Sequence, residues 1–111
     1  MLDKLAVIEE RYEELDRLLA EVGNDYQRAA ELNMERTELE PVVSRARQYR
    51  QALKSLEEAR SLRDADDDEM RLLAEAEITD LEPQIERLER EIKGLLLPKD
   101  KKDEVRIIAA M

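Results

Sequence analysis

Apolar residues recur along most of this chain at alternating intervals of four and three. Met1, Leu5, Ile8, Tyr12, Leu15, Leu19 and Val22 form a first set. Leu39, Val42, Ala46, Tyr49, Leu53 and Leu56 form a second, in phase with Leu32 upstream. Ala74, Ile78, Leu81, Ile85, Leu88, Ile92 and Leu95 form a third. An α-helix turns once every 3.6 residues, so each set lies on one narrow stripe. The a/d spacing is that of helices packing along a seam. On the first helix the other face is charged, with Glu9, Glu10, Arg11, Glu13, Glu14, Asp16 and Arg17. The pattern predicts an all-α protein, an antiparallel three-helix bundle with long, coiled-coil-like second and third helices.

The breaks in the pattern set the expected boundaries at about residues 2–22, 25–63 and 67–96. Gly23 stops the first helix, because glycine takes the left-handed C′ conformation at no steric cost. Asn24 to Gln27 fits a capping box, with Asn24 as N-cap and Gln27 reaching back. The turn is then short, and the first two helices are antiparallel neighbours. Asp64 to Glu69 closes the second helix and opens the third, with Asp66 and Glu69 as a second capping box. Acidic residues there suit the positive end of the helix dipole. Pro41 and Pro83 sit inside the second and third helices. An interior proline removes one hydrogen bond and clashes with the carbonyl four residues back. Because the seam stays in phase through Pro41, a kinked but continuous helix is expected; the alternative is a break with Pro41 at N1. Pro98 ends the helical domain, residues 1–98. Residues 99–111 read as a linker and the start of a truncated next domain, Glu104 to Ile108 as a strand.

The composition fits thin helices better than a thick globular core: of 111 residues, 43% are charged, 42% hydrophobic and 3% aromatic. With 29 acidic and 19 basic side chains, the net charge is −10. Duplex nucleic acid is bound chiefly by neutralising phosphates, so direct duplex binding is not expected, nor is an anionic membrane surface. Without cysteine or histidine, disulfides and thiolate or imidazole metal sites are excluded. No run reaches the ~18 apolar residues that suggest a membrane span. The opening residues lack the build of a signal peptide, and a cytoplasmic protein is expected.

Catalysis is not expected. Carboxylates abound, but acid–base chemistry needs them in a water-poor pocket, which a thin bundle does not provide. No cofactor is expected. One acidic stretch, Asp64-x-Asp66-x-Asp68 with Glu75 twelfth, imitates a calcium loop, yet Glu69 stands where glycine belongs and Leu72 takes the ninth place. A solvated turn with a helix cap is the plainer reading. Tyr12 and Tyr49 fall on seams and read as core. Arg45, Arg47, Arg50, Arg60 and Arg63 give the second helix a basic side. Pairing with glutamates of neighbouring helices is expected, and contact with a phosphate or an acidic protein is the other reading.

Four landmarks resemble a known family. Met1-Leu2-Asp3-Lys4-Leu5 with Glu9 to Leu15 is similar to the start of the bacterial class I peptide chain release factors. Asn24-Asp25-Tyr26-Gln27, Leu39-Glu40-Pro41-Val42-Val43 and Leu95-Leu96-Leu97-Pro98-Lys99-Asp100 match later landmarks in order and spacing, and favour the release factor 1 branch over release factor 2. The resemblance covers nearly all of the chain up to Asp100. It implies the helical N-terminal domain of a factor that enters the ribosome at a stop codon and triggers hydrolysis of peptidyl-tRNA. In that family a tripeptide in a central domain reads the codon and a Gly-Gly-Gln motif serves hydrolysis. Neither has a counterpart here, where the only glycines are Gly23 and Gly94. After the last landmark the family continues into a strand and an Ala-Gly-Thr-Gly-Gly stretch, from which Val105 to Met111 departs.

The function implied is a non-catalytic domain acting in translation termination. It would dock near the stalk base of the large ribosomal subunit, with release factor 3 as a second possible partner. The expected docking surface is the outward tip of the second hairpin: Arg60, Arg63, Asp64, Asp66, Asp67, Asp68 and Glu69. A coiled-coil adaptor or dimerisation module without a ribosomal role is the alternative.

Overall fold

A computed structural model of the protein describes residues 1–97. The expected all-α bundle is found: α1 spans Leu2–Glu21, α2 Tyr26–Arg63 and α3 Asp68–Leu95, with no strand among the described residues. Pro98, the linker and the strand expected at 104–108 lie outside the described residues.

Both turns are short, and α2 and α3 each start one residue later than the capping boxes suggested. Gly23 takes the left-handed conformation with φ 60° at the end of α1. The N-cap of α2 is Asp25, whose Oδ1 accepts a hydrogen bond from the Arg28 amide at 3.1 Å. Asn24 stays in the turn, its carbonyl accepting from the Tyr26 amide at 2.9 Å. The N-cap of α3 is Asp67, not Asp66, and it accepts from the Glu69 amide at 2.9 Å. In each case a carboxylate occupies the cap, where it meets both the orphan amides and the positive end of the dipole. The third position after each cap is now Arg28 or Met70, so neither box closes reciprocally.

α2 runs unbroken through Pro41, and α3 through Pro83. The two sites share a pattern: a threonine stands four residues before each proline, Thr37 and Thr79, so its carbonyl is the one that loses an amide partner. Both threonines and both prolines are exposed. Each threonine hydroxyl donates to a carbonyl a turn earlier, Thr37 to Asn33 at 2.8 Å and Thr79 to Glu75 at 2.9 Å.

α2 is the central element, with α1 on one flank and α3 on another, and no Cα of α1 comes within 8 Å of one in α3. The main core joins Val42, Ala46, Tyr49, Ala52, Leu56 and Ala59 of α2 to Ile78, Ile85, Leu88 and Ile92 of α3, with Leu5 reaching in from α1. Tyr12, Leu15, Leu32 and Val43 are buried outside this cluster. This corrects the single-seam reading of α2. Leu39 and Leu53 are only half-buried, whereas Val43, Ala52 and Ala59, off the seam, are buried. Adjacent residues point about 100° apart on a helix. A helix with partners on two flanks therefore buries neighbours such as Val42 and Val43 together.

Charge is layered in the same way. α1 carries seven acidic and three basic side chains, and α3 nine and four, while α2 carries six and eight. The two acidic helices meet the basic one and stay clear of each other.

Candidate functional site

The expected docking tip is formed where α2 hands over to α3. Arg60 and Arg63 lie in the last turn of α2 and are exposed. Neither makes an ion pair or a side-chain hydrogen bond among the described residues. Asp64 is the C-cap of α2, its amide donating to the Leu62 carbonyl. Asp66 is exposed in the turn, Asp67 faces its own helix as the N-cap, and Asp68 pairs with Arg71 one turn on. The carboxylates are thus divided among capping, a local ion pair and solvent. Among the described residues, no group of three or more carboxylates is placed to hold a metal ion.

The turn also presents apolar surface that the seam pattern did not flag. Leu72 is 67% exposed and Leu73 63%, with Leu62 and Met70 near 40%. A shallow cleft beside them is lined by Asp68, Arg71, Leu72 and Glu75, and another by Leu53, Leu56, Arg60 and Asp64. The available signal was that Met70, Leu72 and Leu73 precede the first seam residue, Ala74, and so belong to no stripe. Large apolar side chains grouped in water are a feature of interaction surfaces. The tip therefore combines unpaired guanidinium groups, apolar side chains and carboxylates within about two turns of helix on each side.

Away from the tip, side-chain chemistry serves packing. Arg45 pairs with Glu91 of α3 at 3.2 Å and Arg50 with Glu9 of α1 at 3.0 Å, as expected of the arginines on α2. Arg47 instead lies over the Tyr12 ring at 5.8 Å, with Arg36 closer at 4.6 Å. Tyr49 donates from its hydroxyl to Glu89 at 3.0 Å. Burial and that bond push the Tyr49 phenol above its ordinary range. The Arg11 guanidinium, hydrogen-bonded to Glu35 at 2.6 and 3.1 Å, holds the Glu35 carboxyl below the usual carboxylate range. Tyr12 and Tyr49 are buried, as their seam positions predicted, while Tyr26 is 78% exposed. No helix among the described residues is long and apolar enough to cross a membrane.

Known proteins give the chain a context. The PCRF domain family matches residues 8–111. Peptide chain release factor 1 of Exiguobacterium sibiricum is 42% identical over 110 residues, covering 97% of this chain and 31% of the relative. The factors of Caldicellulosiruptor saccharolyticus and Bacillus subtilis are each 40% identical over 111 residues, with the same coverage. The chain thus spans about a third of the length of these relatives and corresponds to their N-terminal region. No solved structure matches it significantly. The family match takes in the landmarks from Glu9 to Asp100, and the chain belongs to the PCRF domain family.

Proposed function

We propose that this chain is the non-catalytic N-terminal helical domain of a peptide chain release factor, acting in translation termination by docking on the ribosome. The observation that carries the proposal is the coverage: 97% of the chain aligns with proteins named peptide chain release factor 1, but only about 31% of their length is present. Codon reading and hydrolysis are assigned to the remainder. Residues 1–98 are proposed as the docking domain and 99–111 as the passage to the next. The site of action is cytoplasmic, near the large-subunit stalk base, with release factor 3 as a functional neighbour.

The α2–α3 tip is the proposed contact. Supporting it are Arg60 and Arg63, unpaired among the described residues, and the exposed Leu72 and Leu73 in the same stretch as Asp64, Asp66, Asp67, Asp68 and Glu69. A long helical hairpin presents its tip farthest from the rest of the molecule. The exposed side chains can be replaced without disturbing the core, so the reading can be tested by pelleting the chain with ribosomes stalled at a stop codon. Arg60→Ala with Arg63→Ala, and separately Leu72→Ser with Leu73→Ser, are expected to weaken co-sedimentation by tenfold or so each, consistent with interface hot-spot losses of ~1–2 kcal/mol. Binding unchanged by both pairs would remove the tip as the contact. Absence of any ribosome binding by the unaltered chain would remove the docking role itself.

A further inference from the structure

The two interfaces of α2 are built from different forces. Toward α3 it is mainly apolar: five α3 side chains are buried, Ala74, Ile78, Ile85, Leu88 and Ile92. Arg45–Glu91 is the one ion pair between these helices among the described residues. Toward α1 the apolar part is smaller, with Leu5, Tyr12 and Leu15 buried. Three ion pairs tie that interface instead: Arg11–Glu35 and Arg36–Asp16 at 2.6 Å and Arg50–Glu9 at 3.0 Å. They are spread along α1 from Glu9 to Asp16, and Arg36 and Arg47 lie over Tyr12 between them. All three are partly solvated, so their strength is set by the ionic strength outside.

We propose that α1 is an electrostatic latch: raising ionic strength releases it from α2 as a unit, while the α2–α3 hairpin stays folded. Release is selective because the ion pairs are unequally shared: among the described residues three join α1 to α2 and one joins α3 to α2. Both flanking helices are acidic against a basic α2, so screening removes attraction on either side, and it costs most where ion pairs carry more of the grip and apolar burial less. α3 keeps its grip because apolar burial does not weaken with added potassium chloride. Helical segments that open independently of their neighbours are the usual subunits of native-state opening. Release would uncover Leu32 and Val43 on α2, beside Arg36, Arg47 and Arg50.

Amide hydrogen exchange of the intact chain at 0.05 M and 1 M potassium chloride tests this. Protection at residues 5–20 is expected to fall about tenfold, the equilibrium factor for three partly exposed ion pairs of ordinary strength. Protection at residues 78–92 is expected to change by no more than about twofold, the factor for one such pair. In a chain carrying Asp16→Asn and Glu35→Gln, α1 should start less protected, and its salt response should shrink to about threefold or less. Equal changes in α1 and α3, or no fall in α1, would overturn the proposal. So would a salt response in the double variant as large as in the unaltered chain.

Discussion

Ile92 and Leu95 are consecutive positions of the same hydrophobic stripe, three residues apart, and pattern alone treats them as equals. In the fold they differ: Ile92 is fully buried in the main core, while Leu95 is 36% exposed. Ile92→Ala removes three carbons from a closed site. At about 0.8 kcal/mol per buried methylene the transfer loss is ~2.4 kcal/mol. The space left behind adds a cavity term, bringing the cost within the ~2–5 kcal/mol range seen for such truncations. For a domain of this size each kcal/mol lowers the melting temperature by about 4–8 °C, so a fall of at least ~10 °C is expected. Leu95→Ala leaves a site already open to water, and a fall of no more than about 5 °C is expected. The assay is thermal unfolding followed by circular dichroism at 222 nm, with urea titration to give the free energies. Equal losses for the two variants would refute the assignment of the core to the α2–α3 interface. A loss below ~1 kcal/mol for Ile92→Ala would do the same.

Three further expectations concern local features. Asp25→Ala and Asp67→Ala should each cost ~1 kcal/mol in a urea titration, the usual value of an N-cap, while Asn24→Ala and Asp66→Ala should stay within ~0.5 kcal/mol; the reverse order would restore the caps to Asn24 and Asp66. Pro41→Ala should stabilise the chain by ~1–3 kcal/mol, since it restores an amide donor to the Thr37 carbonyl within an unbroken helix, and a lower melting temperature would show that the proline's geometry is needed. Tyr49 has its phenol raised above the ordinary value of 10.0, first by burial and then by the bond it donates to Glu89. The folded form therefore holds its proton longer than the unfolded form. That contribution is complete below pH 10 and is lost as pH rises through the folded value. Stability measured from pH 9 upward should fall less steeply in Tyr49→Phe, and parallel curves for the two proteins would contradict it.

Much of this protein is legible in its sequence because the governing physics is local. Heptad-like spacing, Gly23 after the first stripe and a cluster of aspartates after the second define three helices and two tight turns. Helix continuity through Pro41 is legible too, since the stripe stays in phase across it. The exact caps are less so: Asn24 and Asp25, or Asp66 and Asp67, are chemically equivalent candidates, and the length of the turn chooses between them. What only the tertiary structure decides is which parts of each stripe are covered. α2 has two partners on different flanks, so Val43 and Ala59 are buried while Leu39 and Leu53 are half-open, and no one-helix pattern encodes the position of a second neighbour. The exposure of Leu72 and Leu73 and of Arg60 and Arg63 is decided in the same way. Whether a side chain is core, ion-paired or free depends on where neighbouring helices stop, which is a property of the assembled bundle rather than of any segment within it.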